Sequence, residues 1–507
     1  MIVGGCKSKK EDLGALGDPN ISVNENGFSN IENVLKVEPR KITDAQGEAA
    51  LKAANLWQKS DNVTWESRSG GKGTYTFKNL SGTHPKGDVS FVMKTLKLTG
   101  LHKADETVTA DLVEIGAIAF EAKGGELTVK NVGLRNATIP VDFSDLVDPN
   151  ILFEQNDDQI FSAFVMSGVN GKIPDFDFDI KQLGWGQDPQ DNHLRISADD
   201  VSINGIEKRG GELSFTLDAL EMRGLNPMPA DGDGETFALK LSPEGISDIL
   251  GGNLQVGDFL AKDFKFSSDG FTAILPKAVQ TAKIKGDVTQ LNFSMPTAQL
   301  KMSEVLGMSD EDKRSFALMK SVGLDDIELS SSAQSEINKA TDFWDIKGAS
   351  FDLKDGFDLN YSGGFSGIDA MRRARSNPEL LQADREAAVE NFKIHDFALS
   401  LEDKSIVDSG FVIAGAMFGQ SPEDLRRTAN GALGLASLAA FTQSDGKIYT
   451  ELTRSLGAFL QDGGTLNIAL KPDTPISVKE FEGLSLSNRP NLKRLGLSSS
   501  VTKDESQ

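Results

Sequence analysis

The chain has 507 residues, 38 % of them hydrophobic and 25 % charged, and its 53 basic and 75 acidic side chains leave a formal net charge of −22. That apolar content supports a sizeable core and excludes wholesale disorder, while so acidic a surface excludes nucleic acid as a partner, because phosphate backbones are held by Lys and Arg. A single cysteine excludes internal disulfides and Cys-rich metal sites, and no apolar run approaches the roughly 20 residues of a membrane span.

The cysteine, Cys6, lies in the polar stretch "VGGCKSKK" and not among core residues. Gly4 and Gly5 before it would let a peptidase approach the backbone closely. Ile2-Val3-Gly4-Gly5-Cys6 resembles the lipobox of bacterial lipoproteins, whose cysteine sulfur receives a diacylglyceryl group and becomes the mature N-terminus. The departure is that no basic segment and almost no apolar segment precedes it, which implies a start site inside a longer signal peptide. The resemblance makes Cys6 the expected lipidation site, with residues 1–30 forming the lipobox-like end and a tether to the membrane.

The first predicted helix is "ITDAQGEAALKAANLWQKS", with Thr43 or Asp44 as cap and Ile42, Ala49, Ala50, Ala53, Leu56 and Trp57 on one face. From Thr74 to Ile139 the period changes to two, and four successive strands are predicted. Phe91, Met93, Leu96 and Leu98 share an apolar face only if a bulge falls between Met93 and Leu96. The stretch from Phe143 to Gly168 reads as helix again. Strands resume from His193 to Met295, "ETFALKLS" among them, and a further helix is capped by Ser309. Two final helices are predicted, one starting at Ser421-Pro422 and one over "KIYTELTRSLGAFLQD", followed by the strand "TLNIALKP". The expected segments are thus 1–30, 31–142 with a helix and the first sheet, 143–400 with more sheet and inserted helices, 401–487 with the helical pair and closing strand, and a loose tail over 488–507.

Two internal echoes accompany this pattern. "ADLVEIGAIAFEAKGGELTVKNVGL" from Ala110 aligns with "ADDVSINGIEKRGGELSFTLDAL" from Ala198, and "LKLTGL" at Leu96 aligns with "LEMRGL" at Leu220. Each is a strand, a glycine bend and a strand, and such units bury their apolar faces by stacking side by side. The fold class expected is mainly β (α+β): an elongated, curved antiparallel sheet of repeated hairpins with interleaved helices. This idiom resembles the AsmA-like and YdgA-like periplasmic proteins of Gram-negative bacteria. The ending "LSLEDKSIVDSGF…GQSPEDLRR…LGAFLQDGGTLNIALKPDTPISV" resembles the C-terminal module of related envelope proteins from alphaproteobacteria. The resemblance is architectural, covers Thr74 to Val478 and brings no catalytic signature. It implies long antiparallel sheets, some with an apolar groove suited to acyl chains, and a periplasmic or outer-membrane-anchored location.

No HExxH, GxSxG, GK(S/T) loop or GxGxxG occurs. Asp175, Asp177 and Asp179 would share one strand face, roughly 7 Å apart, and are the best carboxylate cluster. Ile180 and Gly186 break the calcium-loop pattern, so they read as a solvated face first and as weak metal candidates second. Phe259, Phe264, Phe266, Phe271, Phe293, Phe351, Phe357 and Phe365 lie on apolar strand faces and are either core or the lining of a groove. The expected function is non-enzymatic and without a cofactor: an envelope lipoprotein, held to the membrane through Cys6, that binds a lipid-like ligand or acts as a scaffold. The alternatives are a β-helical hydrolase of polysaccharide, using the Asp175 cluster, and a surface adhesin or stalk. If Cys6 belongs to a lipobox, translation of the DNA upstream of Met1 will run in frame through an apolar stretch to a basic residue. An in-frame stop close to Met1 would exclude it.

Overall fold

A computed structural model describes residues 31–83, 89–104, 107–122, 124–139, 161–190, 194–206, 212–227, 254–255, 257–304, 309–368, 382–440, 446–477 and 494–503. Cys6, the tether, "ETFALKLS" and most of the helix expected over 143–168 lie outside the described residues. Two compact units are formed, one within Asn24–Val279 with Lys301–Val305, the other within Gln280–Leu300 and Leu306–Gln507.

The first unit opens with a 3-10 turn, Ile31–Leu35, and helix α1, Asp44–Ala53. Thr43 caps α1 in a reciprocal capping box with Gln46. The helix is shorter than predicted and turns Ala50 and Leu51 inward, with Ala54 and Leu56 following, while Ala49 stays exposed. The strands are β1 (Val63–Thr64), β2 (Ser67–Gly71), β3 (Thr74–Thr83), β4 (Val89–Thr99), β5 (His102–Ala104), β6 (Thr107–Ala122) and β7 (Gly125–Ile139). They continue as β8 (Ala163–Ile173), β9 (Phe176–Gln187), β10 (Leu194–Ile206), β11 (Glu212–Pro227), β12 (Leu254–Gln255) and β13 (Asp258–Ser268). The boundary between the units falls within β14 (Phe271–Lys285).

The ladder runs in chain order and antiparallel through β3, β4, β6, β7, β8, β9, β10, β11 and β13. Both sequence echoes fall on it: Ala110 starts within the β6–β7 hairpin, and Leu96 and Leu220 occupy the same level on β4 and β11. Gly100 and Gly224, the glycines of "LTGL" and "MRGL", both adopt positive φ (68° and 74°), Gly100 just past β4 and Gly224 within β11 toward its end at Pro227.

The slip expected between Met93 and Leu96 is present, and every neighbour in the ladder shares it. Asn79, Ala117, Gly168, Asp200 and Asp263 have positive φ and lie on alternate strands β3, β6, β8, β10 and β13. Each drops out of register, opposite Lys94, Lys130, Lys181 or Asp218 on the intervening strands. The inward residues are therefore three apart across the line, as in Phe77/Leu80, Met93/Leu96, Val129/Val132 and Ala198/Val201. The exposed pairs between them, such as Lys78 with Asn79 and Lys130 with Asn131, remain hydrated.

Residues 161–168 correct the sequence reading: Ala163–Gly168 lie in β8, not in a helix. Phe164 and Met166 face the apolar side, while Ala163 and Val165 are covered on the other side by the 3-10 turn. With both faces apolar the run "FSAFVM" loses its alternation and cannot be told from a helix. The turn fits only because the sheet beneath it is glycine. A Cβ on Gly184 would lie 2.3 Å from Ile31 Cγ1, and one on Gly133 2.3 Å from Leu35 Cδ1.

In the second unit β15 (Val288–Met302) precedes helix α2 (Asp310–Ser321), capped by Ser309 as expected. Strands β16 (Asp326–Asn338), β17 (Phe343–Leu353) and β18 (Phe357–Ser366), helix α3 (Gln382–Asn391) and strand β19 (Lys393–Asp403) follow. Three helices come next, not the predicted pair: α4 (Ile406–Phe418), α5 (Pro422–Ala440) and α6 (Gly446–Asp462). Gly, Val and Ile in α4 are weak helix formers, but Asp403 Oδ1 accepts from Val407 N (3.1 Å) at its start, and Gly419 ends it in the left-handed region. The last strands are β20 (Gly464–Leu470), β21 (Ile476–Ser477) and β22 (Leu497–Thr502). β22 corrects the loose tail expected over 488–507: it pairs with β20 from Leu470↔Leu497 to Thr465↔Thr502. Gly184→Val should unseat the 3-10 turn and lower the urea midpoint, at a cost of about 1–3 kcal/mol for overpacking; an unchanged midpoint would show that the turn does not hold the sheet.

Candidate functional site

The aligned slips keep four uncharged, largely apolar rows running across eight or nine of the strands β3, β4, β6 to β11 and β13 of the first unit. One row runs from Leu80 and Met93 through Ile118, Val129 and Val169 to Ile180, Val201 and Leu217. A second runs from Phe91 and Phe120 to Phe178, Ile203, Phe215 and Phe266. A third joins Phe77 and Leu96 to Leu220 and Ala261. The fourth joins Tyr75 and Leu98 to Phe164, Trp185, Met222 and Phe259. No Asp, Glu, Lys or Arg interrupts any of the four. Strands about 4.8 Å apart make each row up to roughly 38 Å long.

The face is closed by α1 at its β3 end and only partly covered from β6 on, where buried Val201, Leu217 and Ala261 alternate with half-buried side chains. Phe77, Leu80, Leu96 and Leu98 are 0 % exposed, under Ala50, Leu51, Ala54 and Leu56 of α1 and the segment after it. From β9 onward Ile180, Ile203, Phe215, Met222, Phe259 and Phe264 are only half-buried. Helix α1 has 10 residues, about 15 Å of length, and no other α-helix is described in this unit's Asn24–Val279 span. Full burial of such a side chain is worth about 1.5–3 kcal/mol.

The sequence candidates divide between the units. Phe259, Phe264 and Phe266 lie on this face, with Phe264 edge-on to Phe215 at 5.5 Å, and Phe271 is 36 % exposed, 6.2 Å from Phe266. Phe293, Phe351, Phe357 and Phe365 belong to the second unit, where Phe351 packs on Phe357 (5.8 Å) and Phe365 on Phe392 (5.8 Å). Asp175 sits in the β8–β9 turn with φ 74°. Asp177 opposes Lys172, and Asp179 accepts from Asn170; all three carboxylates are exposed. Among the described residues no group of three or more His, Cys, Asp or Glu is placed to hold a metal ion. The ladders are antiparallel, so the coil of a parallel β-helix, on which the hydrolase alternative relied, is not formed.

The sequence reading missed the contrast between the two faces of the second unit. One face carries Phe351, Leu359, Leu401, Leu466 and Val501 at a single level, and α6 lies against its end, where Ser455 and Ser499 hydroxyls meet at 3.2 Å. The other carries Ser350, Asn360, Ser400, Asn467 and Ser500, along a shallow depression of about 330 Å³. Beside it Lys404 joins Asp352 (2.9 Å) and Asp358 (3.0 Å) across the hairpin. Burial and its bond with Asp352 push the Asp358 carboxyl up, while that same bond and Lys404 hold Asp352 down.

A family described as "Uncharacterized protein" matches residues 350–502, from the end of β17 through β22. A comparison with curated proteins finds no match. Among the described residues no helix is long and apolar enough to cross a membrane.

The polar side of the same sheet carries a titrating carboxyl. Glu221 projects from that side of β11, at the level of Ser197 and Leu260. Burial, and then Asp199, push its carboxyl up to about 7, against the pull of Arg223 and Arg195. The folded chain then keeps a proton that the unfolded chain has lost, so stability falls as pH rises from about 4.5 to about 7 and levels off above. Discounted for its partial exposure the loss is about 1–2 kcal/mol. Glu221→Gln should remove that slope in urea midpoints taken at about pH 5.5 and about pH 7.5; an unaltered slope would assign it to other groups.

Proposed function

We propose that this protein is a non-enzymatic lipoprotein of the Gram-negative envelope, anchored through Cys6, that binds or handles a lipid-like ligand. The observation that carries the reading is the set of four uncharged apolar rows, closed by α1 at β3 and only partly covered from β6 to β13. Soluble proteins rarely leave a contiguous apolar surface uncovered unless something binds there. Acyl chains suit such rows because they need no polar partner along their length. The periplasmic or outer-membrane location rests on the lipobox-like Cys6 and on the resemblance to AsmA-like and YdgA-like proteins.

The test uses the full chain carrying Cys6→Ser, so that no covalent anchor contributes, purified without detergent and weighed by native mass spectrometry. Extra mass that extracts into organic solvent is expected. A bare mass, with no uptake of added phospholipid, would make the rows ordinary core and end the lipid-handling reading.

A further inference from the structure

We infer that the apolar face takes fatty acyl esters, and that the indole N–H of Trp185 donates to the ester carbonyl oxygen. This rests on the lipid-handling reading above and adds the ligand's chemistry to it. Trp185 lies in the fourth row, between Phe164 on β8 and Ile196 on β10. It is 6 % exposed, and its ring meets Phe161 and Phe164, each at 6.2 Å. Its Nε1 is buried and has no hydrogen-bond partner. A buried indole N–H ordinarily finds an acceptor, and leaving it unmade costs stability. The hydrophobic side chains packed around it, among them Leu194 and Met222, supply no oxygen.

The missing acceptor has to come with the ligand. A pure hydrocarbon brings none. A free carboxylate would bring a charge into rows that hold no cation, which is costly to bury. A neutral ester carbonyl satisfies the donor and adds no charge, and its acyl chain covers the rows. Trp185 is buried beside the half-buried Leu183 and Ile196, so a carbonyl there leaves the chain free to run toward β13.

The experiment uses the full chain with Cys6→Ser and ¹⁵N-indole tryptophan. The chain has four tryptophans, and the Trp185 signal is assigned with Trp185→Phe. Methyl palmitate should move the Trp185 indole proton downfield and hexadecane should not. Trp185→Phe should weaken methyl palmitate about tenfold, the effect of one buried hydrogen bond, and leave hexadecane unchanged. If both probes bind and the Trp185 signal stays in place, the ester assignment falls while lipid handling stands. Tighter binding of palmitate than of its methyl ester would likewise overturn the neutral carbonyl. If neither probe binds, the lipid-handling reading falls and takes this inference with it. Should the variant fail to fold, the remaining signals are assigned from phenylalanine variants at Trp57, Trp65 and Trp344, and the titration of the parent chain decides.

Discussion

The first unit depends on a line of strand slips that must occur together. A β-strand alternates its faces with period two, and a one-residue shift turns every later side chain to the other side. Had β4 alone kept period two from Leu96, its far half would have pointed Lys94 and Val92 at the row that holds Leu80 and Ile118. The slip is tolerable only because β3 makes it at Asn79, β6 at Ala117 and each later strand at the same level. Each strand left out of phase would expose apolar side chains worth about 1.5–3 kcal/mol apiece. That coupling selects for the transverse line as a unit.

The residues on the line follow from its geometry. Positive φ is cheap for Gly168 and moderate for Asn79, Asp200 and Asp263, residue types whose short polar side chains tolerate that region. Ala117 has no such compensation and carries about 1–2 kcal/mol of strain. It stays because Ile115 and Ile118 on either side of it belong to two of the rows. The intervening strands place Lys94, Lys130 and Lys181 there, and Lys181 meets Asp199 and Asp200, both at 2.9 Å. Charge thus gathers on the hydrated side of the line and leaves the apolar side clean.

Much of the fold was legible in the sequence because the strands of the first half are long and alternate. Tyr75 with Phe77, and Phe91 with Met93, carry period two plainly, and the single slip read at Met93 belonged to a line that crosses the sheet. Reading it elsewhere required noticing that Val129/Val132 and Ala198/Val201 share the same spacing of three. The misreadings have local causes. Ala163–Gly168 is apolar on both sides, so periodicity vanishes. Helix α4 is built from weak helix formers and is fixed by its ends and its neighbours, with Arg426 of α5 over the Phe411 ring at 5.0 Å. Strand β22 is polar at Ser498, Ser499 and Ser500, and only pairing with β20 makes it a strand. The phenylalanines could be listed as candidates but not sorted, because sequence alternation is the same in a closed core and in an open face.

What separates those two cases is cover. A ten-residue helix spans about 15 Å, and rows of nine strands span roughly 38 Å, so α1 can close only the β3 end. Folding needs that closed end, where Phe77, Leu80 and Leu96 exclude water completely. It does not need the far end to stay uncharged. A half-buried position that served only stability would tolerate a Lys or Glu there, with its stem lying along the sheet and its head in water. Ile203, Phe215, Met222 and Phe264 are all large and apolar at such positions, and so are the residues that face Ile203, Phe215 and Met222 across the ladder. A face kept apolar beyond what its own cover requires is suited to an apolar occupant, and that is why the half-open end, more than the buried one, carries the functional reading.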